Sequence, residues 1–314
     1  FKPSIKSVKA LVMEICKITV ITLTYNNWRK IHTAILSLAK QNIDKKIDIE
    51  YLIVDDGTED FDAAFVQKLI DDNLKIKSRI IQNNKNVGTV KSFNNAIKNS
   101  HGDFIIPLSA DDEFYDNEFL NKLKKKFIES NADIVTAKRI PFDENKFSGK
   151  VEVLPSSEQI RLFDDDNGDL LKYILKYGSF ISGACTYYRK SFLERMGYFD
   201  ESYVLLEDYP FLVKSLLNGV NIEFLDAIAI KYHLGGVSSL SKRNPILAKD
   251  FRKLYLNISN MPQINLYWRR RVYYSKVLSA SEKINPKNIM LYPEQFIILL
   301  FTRINLLRVR ELIS

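Results

Sequence analysis

The sequence predicts an α/β fold: an open sheet, parallel through its first half and covered by helices on both faces. Three observations predict it. From residue 17 to residue 112, near-continuous apolar runs rich in β-branched residues alternate with segments of helical period. The strands of that half run into polar residues at one end. The composition, 46% apolar and 27% charged over 314 residues, describes a globular chain rather than a disordered one.

The elements follow in order. Lys17 to Asn26, "KITVITLTYN", reads as a buried strand. "NWRKIHTAILSLAKQ" sets Ile31, Ile35 and Leu38 at helical spacing. Ile49 to Gly57, "IEYLIVDDG", is a second strand ending in acids. "FDAAFVQKLIDD" reads as helix, "SRIIQN" as a short strand, "VKSFNNAIKNS" as helix and "DFIIPLSADD" as strand. Past Asp112 the alternation weakens. "NEFLNKLKKKFIES" is a helix and "DIVTAKRI" a strand, and residues 143–169 form a polar excursion. "SFISGACTYYRKSFLERMGYFDE" holds a strand and then a helix. A further helix opens at Glu207 or Asp208, and "EFLDAIAIKYHLGG" is a strand entering a glycine turn. Residues 241–314 read as mostly helical, broken at Pro245, Pro262, Pro286 and Pro293.

Bulk properties narrow the function. Two cysteines, Cys16 and Cys185, exclude a disulfide scaffold and fit a reducing compartment. Lysines interrupt the short apolar stretch of the N-terminal "FKPSIKSVKALVMEIC", so no signal peptide is expected there. No run approaches ~18 uninterrupted apolar residues, so no spanning helix is expected. Residues 241–314 hold 14 of the 46 basic residues and only 4 of the 38 acidic ones. The net charge of +8 therefore belongs to the C-terminal quarter, which seeks anions. In that quarter "LYWRRRVYYSK" has the Tyr, Trp and Arg mixture of a membrane interface. Phe296 to Phe301 is apolar all round, which suits burial against protein, a second copy in a homodimer, or lipid. Nucleic acid is not expected, because the acidic front carries no base-reading motif.

Three strand ends carry the candidate chemistry. The first ends in Thr24, Tyr25 and Asn26, the second in Asp55, Asp56 and Gly57, the fourth in Ser109, Asp111 and Asp112. In open α/β sheets that edge is where ligands bind. The adjacent carboxylates Asp111 and Asp112 repel unless a cation or charged ligand holds them, and oxygen ligands suit Mg²⁺ or Mn²⁺ shared with a phosphate. Gly88 lies in a loop just before a helix, with backbone N–H groups suited to an anion. Tyr25 can stack on a base, and a carboxylate can accept from a base N–H or a ribose hydroxyl. Singly, Tyr25 reads as packing and Asp55 as a cap; together the strand ends describe a nucleotide crevice.

In order, "ITVITLTYNN", "IEYLIVDDGTED", "NNKNVGTVKSFNNAI", "GDFIIPLSADDEFYD", "GACTYYRKSFLERMGYFDES", "LLEDYPFLVKSL" and "YHLGGVSS" resemble the family 2 glycosyltransferases, the inverting, nucleotide-sugar-dependent enzymes of the GT-A fold. The resemblance covers residues 17–240. It implies a GT-A, Rossmann-like open mixed sheet flanked by helices, with a helical C-terminal extension. It divides the chain into an N-terminal extension (1–16), a nucleotide-sugar-binding half (17–115), an acceptor-binding half (116–240) and a basic helical region (241–314). It implies that Tyr25 and Asp56 hold the base with Asp55 beside them, and that Asp111 sits near the ribose. Asp112 would bind a Mn²⁺ or Mg²⁺ bridging the diphosphate, with His233 helping to hold metal or diphosphate. Asp208, beside Glu207, would be the catalytic base. Two residues depart from the family pattern: Ser109 replaces a usual Asp, and Phe93 a frequent Arg, for which Lys91 is the nearby substitute.

The expected activity is transfer of a sugar from a nucleotide donor, UDP-linked, to a hydroxyl with inversion. The acceptor expected is a lipid-diphosphate-linked saccharide in bacterial surface polysaccharide assembly. The expected location is cytoplasmic, peripheral at the inner face of the membrane. The helix dipole at the start of the Asp208 helix is expected to lower that carboxyl's pKa, with Glu207 opposing. A non-catalytic nucleotide-sugar or saccharide-binding module is the alternative from another class. A sugar-phosphate nucleotidyltransferase is disfavoured because "TYNNWRK" lacks glycine, and a dehydrogenase because no G-x-G-x-x-G follows a strand.

Overall fold

The computed structural model describes residues 15–142, 153–164, 167–233 and 244–311, with side chains through Thr302. Most of the N-terminal extension, the stretch 143–152, and the segment 234–243 with its glycine turn lie outside the described residues.

The first half alternates as the pattern requires: β1 (Cys16–Thr24), α1 (Ile31–Ala39), β2 (Ile47–Asp55), α2 (Ala63–Asn73), β3 (Lys77–Gln82), α3 (Thr89–Asn99) and β4 (Phe104–Pro107). The second half holds β5 (Glu113–Phe114), α4 (Phe119–Ser130), β6 (Ile134–Phe142), α5 (Ser157–Ile160), α6 (Asn167–Tyr177), β7 (Thr186–Arg189), α7 (Lys190–Arg195), α8 (Asp208–Leu217) and β8 (Ile222–His233). The C-terminal region contributes α9 (Pro245–Asn260), α10 (Leu266–Val272), α11 (Ala280–Lys283), α12 (Pro286–Leu291) and α13 (Pro293–Glu311).

The eight strands form one mixed sheet in the order β3-β2-β1-β4-β7-β6-β8-β5. β1 pairs in parallel with β2 and β4, and β2 with β3. β7 is antiparallel to both β4 and β6, while β6 and β8 run parallel. The carboxyl ends of β1, β2, β4, β6 and β8 therefore share one edge with the amino end of β7. Successive residues feed opposite faces. Ile18, Val20, Tyr51 and Ile53 pack beneath α1, α2 and α4, whereas Ile21, Leu52 and Val54 pack with α3, α6, α8 and α9. Both faces are covered, which is why these strands are apolar without alternation.

Three elements escaped the sequence reading: α5 and the start of α6 fall inside the polar excursion, and the two-residue β5 is too short to carry a pattern. The expected strand through Asp112 stops at Pro107, so Ser109–Asp112 becomes a turn closed by the Asp112 N–H donating to the Ser109 carbonyl at 3.1 Å. In the C-terminal region Pro245, Pro286 and Pro293 each begin a helix. The arginine run is not a free basic face: Arg269, Arg270 and Arg271 are half-buried, and Arg270 pairs with Glu294 at 2.8 Å, tying α10 to α13.

Candidate active site

The edge is built from turns that hold each side chain in place. After β1, the Asn27 carboxamide oxygen accepts from Thr24 Oγ1 (2.8 Å) and from the Tyr25 N–H (3.1 Å). Asn26 takes a left-handed φ of 59° and donates its N–H to Thr58 Oγ1 at 2.9 Å. Tyr25 is left projecting, 47% exposed. After β2, Gly57 has a φ of 78°, and a Cβ there would lie 2.3 Å from the Lys85 carbonyl carbon. Only glycine fits that approach.

The two β2 aspartates differ in what they hold. Asp56 Oδ1 accepts from Asn83 Nδ2 and the Val87 N–H, and Oδ2 from the Gly88 N–H, all at 2.9 Å. Its carboxylate thus holds down the loop before α3. Asp55 Oδ2 accepts from the Thr58 N–H at 2.8 Å, and its buried Oδ1 has no hydrogen-bond partner in the protein. Of the two, Asp55 is the one with a wholly unpartnered oxygen. Gly88, φ 93°, opens α3, and Lys91 is exposed on the first turn of that helix.

Beyond β4, Asp111 is half-buried, with Lys30 Nζ 3.8 Å from it. Asp112 is 1% exposed. Its Oδ1 accepts from the His233 backbone N–H at 3.0 Å, and its Oδ2 is buried without a partner. Burial pushes this carboxyl up to about 7, against the His233 N–H and with the help of Asp111. His233 thus reaches Asp112 through its backbone, while its ring lies edge-on to Phe142 at 5.0 Å. Among the described residues no group of three or more His, Cys, Asp or Glu could hold a metal. An orphaned, buried carboxylate oxygen beside a second carboxylate does fit a hard cation that takes its remaining oxygens from a phosphate.

Glu207 and Asp208 open α8 across the same edge, both partly buried. Asp208 Oδ2 accepts from the Gly183 N–H at 2.9 Å and Oδ1 from the Tyr209 N–H at 2.6 Å. Gly183 has little freedom, since a Cβ there would lie 3.0 Å from Asp208 Oδ2. Burial raises the Asp208 carboxyl despite these two donors and despite Arg139. This reverses the expectation from the helix dipole, because taking the charge out of water outweighs it. Burial, then Asp208 and then Asp250 raise Glu207, to about 8.

The residue reading missed Gly183, Thr58, Arg139 and Asp250. Gly183, Arg139, Asp250 and the Thr58 hydroxyl act through contacts more than 20 residues away in the chain, which no local pattern signals. Arg139, with its guanidinium 4.5 Å over the Tyr232 ring, opposes the upward shifts of Asp112, Asp208 and Cys185.

The succinoglycan biosynthesis protein ExoU of Rhizobium meliloti (strain 1021) is 25% identical over 210 residues, covering 66% of this chain and 59% of the relative. The chain therefore spans less than two thirds of that protein. Staphylococcus aureus TarS 1-349 in complex with UDP-GlcNAc aligns with a TM-score of 0.60 and 22% identity, over 90% of this chain and 78% of that one. The mannosyltransferase PcManGT of Pyrobaculum calidifontis, in complex with GDP-Man and Mn²⁺, aligns with a TM-score of 0.56 and 14% identity, over 83% and 70%. These likenesses bear out the GT-A architecture expected from the motifs. The family model for glycosyl transferase family 2 matches residues 19–197, more than half of the sequence, and the chain belongs to that family.

Proposed function

We propose that this protein transfers a sugar from a UDP-linked donor to a saccharide hydroxyl, with inversion at the anomeric carbon, in the assembly of a surface polysaccharide. The observation that carries the reading is a pair of buried, unpartnered carboxylate oxygens, Asp55 Oδ1 and Asp112 Oδ2, at the carboxyl ends of β2 and β4. A buried acceptor without a partner costs about 1–3 kcal/mol, so a ligand that supplies a donor or a cation at both points recovers that cost. TarS in complex with UDP and with UDP-GlcNAc supports the donor class, and the ExoU likeness supports the polysaccharide setting.

Tyr25 stacks on the base and Asp55 Oδ1 accepts its N–H, while Thr24 and Asn26 shape the turn beside them and Asp56 holds the phosphate-side loop. Gly88 and Lys91 at the start of α3 face the diphosphate, and Asp111 the ribose. Asp112 would hold Mn²⁺ or Mg²⁺ together with the donor's phosphates, with the His233 N–H orienting its carboxylate; such a cation supplies charge to the departing nucleoside diphosphate. Burial and the neighbouring Asp208 raise Glu207, and burial raises Asp208, so both acids hold their protons more firmly than free carboxyls do. Asp208 takes the acceptor hydroxyl's proton as that oxygen bonds the anomeric carbon and the sugar–phosphate bond breaks. Its raised pKa makes it a stronger base for that step.

The test combines calorimetry with UDP and Mn²⁺ and an assay of UDP release from nucleotide-sugars. Asp112→Asn is expected to lose the Mn²⁺-dependent part of UDP binding, and Asp55→Asn to weaken UDP with or without metal. Asp208→Asn is expected to bind UDP normally and turn over about 10²-fold or more slowly. Unchanged UDP affinity in both binding variants would remove the proposed site. An inactive Glu207→Gln beside a normal Asp208→Asn would move the base to Glu207.

The C-terminal region extends the reading to a location. Met290, Leu291, Ile297, Leu300 and Phe301 on α12 and α13 are exposed, within a region carrying 14 basic and 4 acidic residues. An exposed apolar face in a cationic region matches an anionic bilayer surface, where a lipid-linked acceptor would be met.

A further inference from the structure

Glu207 and Asp208 follow a loop, Glu201 to Leu206, whose start is tied to α3 by Asn94 Nδ2 donating to Glu201 Oε1 at 3.0 Å. α8 itself begins without a side-chain cap. The rest of the loop is held largely from α9, outside the residues that match the family model. Asp250 is buried, 4% exposed, and its Oδ2 accepts three successive backbone N–H groups: Val204 at 2.9 Å, Leu205 at 2.7 Å and Leu206 at 3.2 Å. One turn further along α9, Lys253 Nζ donates to the Ser202 carbonyl at 2.8 Å. A turn beyond that, Asn257 Nδ2 donates to the Tyr203 hydroxyl at 2.9 Å.

The same loop reaches the other side of the crevice. The Val204 carbonyl accepts from the Val90 N–H at 3.2 Å, in the first turn of α3. Val204 Cγ1 occupies the space beside Gly88, 2.7 Å from where a Cβ would be. Thus one carboxylate on α9 sets a loop that touches the start of α3 at one end and delivers the acid pair at the other.

We propose that Asp250 is a positioning residue that latches the acid-pair loop against the start of α3, so that the C-terminal region completes the active site. Three N–H groups converging on one ionised oxygen form a concave anion nest, and hydrogen bonds to a charged acceptor are about twice as strong as neutral ones. The backbone path of Val204 to Leu206, immediately before Glu207 and Asp208, is set in large part by that single oxygen. The catalytic consequence rests on Glu207 and Asp208 being the acids of the proposed transfer; the latch does not.

The experiment is made on the full chain with Asp250→Ala and Asp250→Asn. Hydrogen–deuterium exchange reads the amides of Val204–Leu206 and of Val90, and UDP release from nucleotide-sugars reads kcat and KM. Asp250→Ala is expected to expose both sets of amides to faster exchange and to lower kcat about 10²-fold, the scale of a misplaced catalytic group. The donor's KM changes far less, because Asp56 still holds the Gly88 loop. Asp250→Asn, which keeps a neutral acceptor in the same place, recovers part of both losses. If the alanine variant does not fold, the asparagine variant carries the same reading, with intermediate exchange and a lowered kcat at an unaltered KM. Faster exchange confined to α9, or a loosened loop with wild-type kcat, overturns the proposal. If the wild-type chain turns over no nucleotide-sugar, the transferase reading fails, while the exchange of Val204–Leu206 and Val90 still decides the latch.

Discussion

Glu207 shows how a single carboxyl is made unlike its free form. Burial disfavours its charged state, and Asp208 and Asp250 add to the effect, so its pKa rises from 4.5 to about 8. A carboxyl raised in the folded state holds its proton where the unfolded chain has released it. Stability therefore falls as pH rises through the window between those two values. Glu207→Gln removes the titration. Its melting temperature relative to wild type should climb between pH 5 and pH 8, by at least about 2 °C for a chain of this size. A difference that stays flat across that range would mean Glu207 ionises normally. A buried carboxyl of this kind is one that stability alone would remove.

At the scale of elements, the opposite edge of the sheet is fastened by another carboxyl. Glu50 of β2 accepts from Thr19 Oγ1 of β1 at 2.9 Å, from Arg79 of β3 at 2.7 Å and from the His101 N–H before β4 at 2.9 Å. Burial alone would raise it, but the His101 N–H and ring, Arg79 and Thr19 bring it down to about 2. One side chain thus ties four neighbouring strands at the end away from the crevice. Its folded-state pKa is depressed, so the stabilisation is present above about 4.5 and lost as pH falls toward 2. Glu50→Gln should cost about 1.5–3 kcal/mol at neutral pH, read by urea unfolding, with the two curves converging in acid. A gap that does not narrow between pH 7 and pH 3 would show that the charge contributes nothing. At this amino edge the Glu50 carboxylate is hydrogen-bonded through both oxygens, whereas Asp55 and Asp112 each keep an unpartnered oxygen at the carboxyl edge.

Across the whole molecule the C-terminal quarter does two things. α9 packs against α8, with Tyr209 edge-on to Phe251 and Tyr255 at 6.4 and 6.3 Å. α12 and α13 instead turn apolar side chains outward while Gln295 is buried. Among the described residues no helix is long and apolar enough to cross a membrane. A surface contact should need anionic lipid and weaken with salt, since each Lys or Arg near such a surface contributes about 1 kcal/mol. Leu291→Glu with Phe301→Glu should abolish co-sedimentation with phosphatidylserine vesicles and leave UDP binding intact. Replacing Arg270 is the wrong test, because its loss would detach α13 from α10. If the double variant instead turns a dimer into a monomer in sedimentation velocity, the face is a contact between two copies.

Local pattern was enough to read most of the architecture. Apolar runs marked β1 to β4, the prolines marked breaks between C-terminal helices, and parallel pairing put Thr24, Asp55 and Asp112 at one edge. These features are legible because period and turn chemistry act over a few residues, and parallel strands align their ends. The tertiary structure alone decided which carboxylates are available. Asp55 and Asp56 are neighbours of the same type, yet the loop from Asn83 to Gly88 occupies one and leaves an oxygen of the other bare. It decided that Asp208 is raised rather than lowered, because burial depends on everything packed around it. It also brought Asp250 to a loop more than 40 residues earlier in the chain. Hydrogen-bond partners and desolvation come from segments distant in sequence, and no periodicity encodes which segments will meet.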